Sequence, residues 1–385
     1  MERLLIQNGT IVSVSKEPFV GDILIEGGKI AKIGKKIKTK VERVIDVSGK
    51  FVLPGFIDAH SHIGLYEEAV GFVQDGNEMT DPVTPEVRAI DAFNPYDIAI
   101  KRALEGGFTT VMIVPGSANV IGGQGAIIKF KSNIVDHCIV REPAGLKMAT
   151  GENPKRVYGD MKKMPSTRLG IAAVMRSFFM KVQDYMEKKR RATEKEGVFL
   201  DRDPKLEIGE LVLKGVIPAR VHAHRAQDIV TAVRIAKEFN FKLVIEHGTE
   251  AYKVADFLRE NNVPVVVGPF GFRTKIELKD ATYDNVRILN EKGVLCAIMV
   301  DHPVVHLEFA NMHAALAMKY GAKKEDILRM LTINAAKILE IDDKVGSLDV
   351  GKDADIVIWN DDPFLPYARV EKVFIEGKEV IWWGE

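Results

Sequence analysis

The sequence predicts an α/β fold, a TIM-like (β/α)8 barrel inserted into a small β-sandwich that both ends of the chain build. Residues 55–340 repeat a strand pattern followed by a helix pattern, which is typical of a parallel sheet. Residues 1–50 instead alternate short β-rich runs with glycine turns, and residues 355–382 do the same. Neither end is large enough to bury a core alone, so we expect the two ends to pack together.

The strand-like runs at the two ends are short and are separated by turns. They cover residues 4–12, 22–25, 29–33 and 43–46 near the start, and 355–359, 370–375 and 379–382 near the end. We therefore assign residues 1–54 and 345–385 to one composite β-sandwich. Residues 55–344 form the inserted barrel.

The middle of the chain supplies the strands and helices of the barrel. The first predicted strand ends at His60, and later strands cover residues 108–114, 216–221, 242–246, 263–267 and 294–300. Predicted helices cover residues 95–105, 228–239, 252–261, 283–291, 305–320 and 324–339. Between 115 and 215 the pattern is less regular, with one long charged helix at 172–196 and short strand candidates for units three and four at 126–130, 138–140 and 146–149. Eight such units would close a barrel.

The composition excludes several classes of partner. Among the 385 residues, 54 Lys and Arg balance 54 Asp and Glu, so nothing indicates a general attraction to nucleic acid or to a membrane surface. The first residues lack a signal-peptide pattern, and no apolar run is long enough to span a bilayer. Cys138 and Cys296 lie in apolar runs, which favours buried free thiols over a disulfide. We therefore expect a cytoplasmic protein with no nucleic-acid or membrane partner.

Polar side chains follow the predicted strands at the points where the strands end. The segment GFIDAHSH ends in His60 and His62, and residues two apart in a strand point the same way. The ends of three further strands carry His222, His247 and Asp301. In such a barrel the chemistry lies at the carboxyl ends of the strands, so four imidazoles and one carboxylate would converge there. These donors suit Zn²⁺, with manganese, iron or cobalt as substitutes, and predict one or two divalent metal ions.

Several motifs resemble those of the metal-dependent amidohydrolase superfamily. They are GFIDAHSH at 55–62, GGFTTV at 106–111, IEHG at 245–248, TINAAK at 332–337 with GSL at 346–348, and GKDAD at 351–355. The resemblance covers nearly the whole chain and is nearest to imidazolonepropionase-like and dihydroorotase-like members. It implies a hydrolase of C–N bonds, usually in amides or cyclic amides, with one or two metals at the barrel mouth.

The resemblance also implies roles for individual residues. His60 and His62 match the first-strand ligands of the more buried metal, and His247 matches the ligand on the sixth strand. Asp301 matches an aspartate of the eighth strand that serves both as ligand and as proton acceptor.

The resemblance implies two further metal-site positions, and for each of them the sequence offers two candidate residues. The sequence VHAH offers two histidines, and because close relatives place the ligand first, we assign His222 as ligand and His224 to substrate contact. Two-metal relatives bridge their metals on the fourth strand, often through a carboxylated lysine. GLKMA at 145–149 resembles that strand, so Lys147 is the predicted bridge, and Glu142 is the alternative because other relatives bridge with glutamate.

Three arginines are candidates for binding a substrate carboxylate through paired hydrogen bonds. They are Arg176, Arg225 and Arg273, which lie near strand ends or in loops. Surface salt bridges are the alternative for each.

The sequence thus predicts a metal-dependent hydrolase of amide or cyclic amide bonds, with a metal-activated water and Asp301 as general base. One alternative is a mononuclear-metal aminohydrolase that deaminates a heterocycle, although the His-x-x-Glu motif common in deaminating relatives does not follow His224. The other is a non-catalytic scaffold, but such relatives have usually lost ligands and this set is complete. The partner would be a small-molecule substrate, which the sequence leaves open, and the resemblance is compatible with a homo-oligomer.

Overall fold

The computed structural model describes residues 3–68, 74–193, 201–271 and 275–381. Within these residues the strands form two sheets of eight strands each. In chain order the strands are β1 (Arg3–Ile11), β2 (Phe19–Glu26), β3 (Lys29–Gly34), β4 (Arg43–Asp46), β5 (Phe51–Pro54), β6 (Phe56–Ser61), β7 (Phe108–Ile113), β8 (Ile121–Lys129), β9 (Ile139–Ala149), β10 (Ala219–Ala223), β11 (Leu243–His247), β12 (Val265–Val267), β13 (Cys296–Ile298), β14 (Ile356–Trp359), β15 (Val370–Ile375) and β16 (Lys378–Glu379).

The helices lie almost entirely in the middle of the chain. They are α1 (Ile98–Glu105), α2 (Val135–Cys138), α3 (Glu152–Asp160), α4 (Arg168–Thr193), α5 (Pro204–Leu213), α6 (Ala226–Phe239), α7 (Ala255–Glu260), α8 (Asn285–Glu291), α9 (Ala310–Lys319), α10 (Lys324–Met330) and α11 (Ile333–Ile338). Short 3-10 turns cover Ala89–Asp91, Ala251–Val254, Ile276–Leu278 and Leu307–Phe309. No described helix is both long and apolar enough to cross a membrane.

Local sequence explains where several helices begin and end. Asp97 accepts a hydrogen bond from the backbone of Ala99 and so caps α1, and Asp203 caps α5, whose first residue is a proline. Helix α6 ends at Asn240, whose left-handed backbone (φ 56°) is the conformation that commonly terminates a helix. The observed ends of α1 at Glu105 and of α6 at Phe239 are the predicted ones, whereas α5 was not predicted and the single helix predicted at 324–339 is two helices, α10 and α11.

The first sheet joins the two ends of the chain. Its strand order is β16-β15-β14-β5-β1-β2-β3, with β4 beside β1. Strand β5 runs antiparallel to β14, so that Val52 lies opposite Ile358. Both ends therefore build one sheet, as expected. A two-layer sandwich stays a prediction, and it is consistent with the branching of this sheet at β1, which pairs with both β4 and β5.

The second sheet is the barrel. Its strands lie in the order β6 to β13, and β13 at one edge returns to lie against β6 at the other, which leaves a nearly closed cylinder. Side chains alternate between two apolar clusters along several barrel strands. Val266 of β12 packs inward with Val244 and Ala297, whereas Val265 and Val267 belong to the cluster that includes the outer helices.

One prediction about the barrel is wrong, because β8 runs antiparallel to both β7 and β9. The candidate strands at 138–140 and 146–149 are also one continuous strand, β9, and the only helix between β8 and β9 is the single turn of α2. The connections 114–120 and 130–138 are too short for a parallel crossover, which needs a dozen or more residues. The glycines in GGQG at 122–125 lie inside β8, where a side chain on Gly125 would collide with Met112. These glycines interrupt the apolar sequence pattern by which β8 would be recognised as a strand.

The predicted boundary between the two parts falls between neighbouring strands. Strand β5 ends at Pro54 and belongs to the terminal sheet, whereas β6 begins at Phe56 and belongs to the barrel. The division into residues 1–54 with 345–385 and residues 55–344 stays a prediction, and these strand memberships support it.

A buried lysine connects the barrel to the terminal sheet. Lys129, at the end of β8, is 1% exposed, and its Nζ lies 2.7 Å from Asp353, 2.9 Å from Asp355 and 3.3 Å from Glu376. Burial opposes the charged amine, but Asp355 and Asp353 outweigh it and raise the pKa of Lys129. The lysine is therefore charged and neutralises carboxylates that the terminal sheet contributes.

Replacing this lysine is expected to destabilise the fold. Lys129→Met would leave Asp355 buried without its cation, and breaking one side of a buried ion pair costs about 3–5 kcal/mol. The free energy of unfolding, measured by chemical denaturation, should fall by that amount. In the control, Lys131→Met removes a half-buried partner of Glu376, which is itself 38% exposed, and should cost about 1 kcal/mol or less. Equal stability of the two variants would contradict the role given to Lys129.

Candidate metal centre and active site

Two predicted ligands from β6 meet one from the end of β13. His62 Nε2 lies 3.2 Å from the Asp301 carboxylate, and His60 Nε2 lies 3.4 Å from the same oxygen. Their potential ligand atoms all lie within 4.8 Å of one another. Because the two strands are the edges of the barrel sheet, its closure is what brings these residues together. We call His60, His62 and Asp301 the first group.

The second group is formed by His222, His224 and His247, from the ends of β10 and β11. The ligand atoms of these three buried histidines again lie within 4.8 Å of one another. The ring centroids of His222 and His247 are 4.2 Å apart, and His247 is 5.3 Å from His60 of the first group. The two groups are therefore neighbours at one end of the barrel.

Two of these residues have an unusual backbone. His247 has φ 69° and Asp301 has φ 56°, the left-handed region that non-glycine residues rarely adopt. Each follows or ends a barrel strand at the mouth. Backbone strain of this kind clusters at functional sites, and here it coincides with predicted ligands on two separate strands.

Hydrogen bonds hold the orientation of four histidine rings through Nδ1, which leaves Nε2 of each ring for the site. The Nδ1 atoms lie close to Glu246 Oε2 for His60 (2.9 Å), the Val114 carbonyl for His62 (2.8 Å), the Thr249 hydroxyl for His224 (2.8 Å) and the Gly268 carbonyl for His247 (3.0 Å). A carbonyl or carboxylate oxygen only accepts, so Nδ1 of His60, His62 and His247 must carry the hydrogen. Such partners commonly fix the tautomer of a metal-ligating histidine.

When the rings are neutral, these tautomers make the first group repulsive unless a metal cation lies within it. With its hydrogen on Nδ1, His62 presents an Nε2 lone pair to a carboxylate oxygen 3.2 Å away, and His60 does the same at 3.4 Å. Neither nitrogen can then donate a hydrogen bond to Asp301. A divalent cation would turn these facing acceptors into ligands, so the residues fit a metal ion.

The second group fits a cation for a related reason. Neither ring nitrogen of the buried His222 has a hydrogen-bond partner among the described residues, and leaving a buried polar atom unpaired is costly. Burial lowers the pKa of His222 and His247 well below the usual value, and it lowers the pKa of His224 to about 3. All three rings are therefore neutral at neutral pH, the form that binds a metal.

Lys147 lies beside both groups. It is 1% exposed, and its Nζ is 3.4 Å from His60 Nε2. Burial is the main cause that lowers the pKa of His62 in the first group and of His222 in the second, and the charge of Lys147 adds a smaller effect in the same direction. Burial in turn lowers the pKa of Lys147 to about 8, against the opposing effect of Glu246 and Asp301. A lowered pKa increases the fraction of neutral amine, which is the form that can react with CO2.

Comparison with known proteins identifies the family. The sequence model of the amidohydrolase family matches residues 51–380. The chain belongs to the amidohydrolase family. The resemblance inferred from its motifs is thereby confirmed.

Individual members agree with this assignment. The crystal structure of an amidohydrolase from Thermotoga maritima MSB8 is 57% identical, with a TM-score of 0.97 over 98% of this chain and 99% of that one. The amidohydrolase tasK of Hapsidospora irregularis is 28% identical over 93% of this chain, which spans only 40% of that relative's length. A dihydroorotase of Elusimicrobium minutum is 24% identical over 96% of this chain and 90% of its own length.

The other predicted residues of this family member lie in different surroundings. Glu142 precedes Lys147 by five residues, about 16 Å along β9 at the usual rise, and its carboxylate is 3.4 Å from Arg88. It therefore lies away from both groups. Arg225 is half-buried at the start of α6, next to His224. Arg273 lies outside the described residues.

Sequence reasoning missed a buried ion pair behind the first group. Glu246 Oε1 lies 2.7 Å from Arg220 Nε, and Glu246 Oε2 accepts the Nδ1 hydrogen of His60. Burial opposes ionisation, but Arg220 and His60 outweigh it and lower the pKa of Glu246. The available signal was a charged residue within the apolar run LVIEH, next to a predicted ligand.

A cavity of about 360 Å³ opens beside the first group. His62 and Asp301 form one side of it, and residues of α3 and of the loops around Asn77 and Ser117 form the others. The side chain of Asp301 is 16% exposed, whereas His60 is fully buried. Asp301 is thus the member of the first group that both contacts the other two and reaches open space.

Proposed function

We propose that the chain is a metal-dependent hydrolase of C–N bonds in amides or cyclic amides, acting on a small molecule. One observation carries this proposal. In the first group, imidazole nitrogens and a carboxylate oxygen, all of them hydrogen-bond acceptors, face one another at the edge of a cavity. Family membership supports hydrolysis of this general kind. The oligomeric state and the cytoplasmic location stay predictions.

The proposed ligands divide between the two groups. His60, His62 and Asp301 would hold one divalent cation, and His222, His224 and His247 would hold a second. We therefore propose His224 as a ligand as well as His222, in place of a purely substrate-binding role. Neutral imidazoles with one carboxylate suit Zn²⁺. A bound metal lowers the pKa of a water molecule towards neutrality and polarises a carbonyl group.

The side chains of the protein would transfer a proton during hydrolysis and would fix the orientation of the proposed ligands. The Asp301 carboxylate accepts a proton from the attacking water and passes it to the departing nitrogen, which leaves as an amine. Glu246 holds His60 through Nδ1, and Arg220 holds Glu246.

Two alternatives are less well supported. A single-metal deaminase would need only one group of ligands, whereas a second group of three buried histidines lies beside the first. A non-catalytic scaffold would not need to keep both groups of donors and an adjoining cavity.

A substrate panel tests the proposal. Zinc-loaded protein would be incubated with N-acyl amino acids, dipeptides, hydantoins and lactams, and release of an amine or opening of a ring would be measured. We expect turnover of at least one class, and none by the chelator-treated protein until zinc is restored. Failure of metal-replete protein to hydrolyse any member would contradict the proposal.

Lys147 is proposed as the bridge between the two cations, in its carboxylated form. Lys147→Ala should then lower the zinc content from about two equivalents to about one. A short carboxylic acid added to this variant should restore part of the activity. Lys147→Arg should not restore the second equivalent, because a permanent cation cannot bridge two cations. Elemental analysis that finds two equivalents in Lys147→Ala would rule out the bridge.

A further inference from the structure

One face of helix α3 forms a wall of the cavity beside Asp301. Asn153, Arg156 and Val157 all line this cavity, as their spacing of three and four residues on a helix allows. The helix begins three residues after the end of β9, the strand that carries Lys147. Its position relative to the candidate metal centre is therefore set by a barrel strand.

Hydrogen bonds hold this face of α3 in place. Asn153 Nδ2 donates to Ser117 Oγ at 2.8 Å, and Lys275 Nζ donates to Asn153 Oδ1 at 3.0 Å. The hydroxyl of the buried Tyr158, also on α3, lies 2.8 Å from the Asp81 carbonyl and 2.5 Å from Asn119 Oδ1, either of which can accept its hydrogen. Arg156 thus extends from an anchored helix, not from a free loop.

The charges around this cavity are sparse. Arg156 is the only cationic side chain among its described lining residues, and Asp301 is the only carboxylate. Arg156 makes no ion pair within the described part of the chain, whereas Arg168 and Arg176 on the next helix pair with Asp228 and Glu238. Its guanidinium therefore has its hydrogen-bond donors available for a ligand.

The rest of the lining is mostly neutral and apolar. Met79, Val157, Pro303 and Val304 contribute apolar surface, and Asn77 contributes an amide. One guanidinium matches one singly charged group, and its planar fork suits a carboxylate, which it can bind through two hydrogen bonds.

We propose that Arg156 binds a free carboxylate of the substrate and thereby selects small amides that carry both a carboxylate and an apolar group. N-acyl amino acids, dipeptides and cyclic amides with a carboxylate belong to this class. The inference rests on the proposed hydrolase function and adds the substrate class. It assigns to Arg156 the role that sequence reasoning gave to Arg176, Arg225 and Arg273.

The test compares matched probes in which the carboxylate is replaced by a neutral carboxamide of nearly the same size, and cleavage is followed at the amide bond that both probes share. N-acetyl-L-leucine, N-acetyl-L-methionine, glycyl-L-leucine and pyroglutamate would each be paired with the corresponding carboxamide. We expect kcat/KM of the zinc-loaded protein to favour the acid by about tenfold or more, since a hydrogen bond to a charged group is worth about that much. Arg156→Gln should abolish the preference, mainly through KM.

Two further variants separate the guanidinium from a general charge effect. Arg156→Lys keeps the charge but loses the fork, and it should keep only part of the preference. Lys155→Gln makes a comparable change of charge at the neighbouring residue of α3, which does not line the cavity, and it should leave the preference unchanged.

Calorimetry supplies a readout that does not need turnover. The zinc-loaded Asp301→Asn protein should bind the acid of a pair more tightly than the amide, and adding Arg156→Gln should remove the difference. If the acids bind through Arg156 but no probe is hydrolysed, this inference stands and the proposed function fails. Hydrolysis without acid preference, or with a preference that survives Arg156→Gln, would overturn the inference alone. Absence of both binding and turnover for every pair would overturn both.

Discussion

Replacing His60 by alanine is expected to remove the cation of the first group, and replacing His247 by alanine is expected to remove that of the second, so each variant should lose about one of two zinc equivalents. Loss of a single supporting residue around a metal site already lowers affinity by about 10- to 100-fold, and these variants remove a ligand atom itself. His60→Ala would also leave Glu246 without the imidazole that donates to it. Zinc content after dialysis against a defined free zinc concentration, measured by elemental analysis, is the decisive quantity.

An exposed histidine provides the control for this experiment. His137 lies at the end of α2 and is exposed, so His137→Ala should bind as much zinc as the unmodified protein. Circular dichroism would establish that each variant is folded. Full zinc content in folded His60→Ala and His247→Ala would exclude both groups as the metal site.

Replacing Asp301 by asparagine is expected to impair proton transfer while leaving the protein folded. The amide keeps the shape of the side chain and one oxygen donor but has almost no basicity. Asp301→Asn should therefore fold and retain part of its metal, while turnover of an identified substrate falls by about a hundredfold or more, the scale for losing a general base. The acidic limb of the rate profile belongs to the water and the carboxylate as a coupled pair, so it should change shape in this variant.

The same substitution at an exposed aspartate controls for the change in charge. Asp343 is exposed in the connection after α11, and Asp343→Asn should leave turnover unchanged. Near-normal turnover by metal-bound Asp301→Asn would mean that another group handles the proton. His224, which lies in the second group, would then be tested first by the same approach.

Much of the fold could be predicted because its signals are local. Parallel strands buried on both faces are continuous apolar runs, and the amphipathic helices between them repeat every three to four residues. Strands β10, β11 and β13 and helices α6 and α8 therefore lie where these patterns place them. The prediction was wrong around β8 because glycines interrupt its pattern and because strand direction depends on the lengths of the connections.

Part of the candidate site could be predicted for the same reason. Residues at the ends of buried strands can be identified from local sequence, so the positions of His60, His62, His247 and Asp301 at the barrel mouth were expected. The roles of Glu246 and Arg156 were not expected. Each depends on what lies opposite the residue in space, which a strand or helix pattern does not specify.

The sequence by itself determined that polar donors follow successive barrel strands and that the chain has the motifs of an amidohydrolase. Only the tertiary structure decided which of these donors meet. Barrel closure places Asp301 beside His62, and the parallel pairing of β10 with β11 places His222 against His247. Burial within the barrel mouth then lowers the pKa of His222 and His247, and the potential ligand atoms of the second group lie within 4.8 Å of one another. That environment arises from packing between distant segments, so no short stretch of sequence contains it.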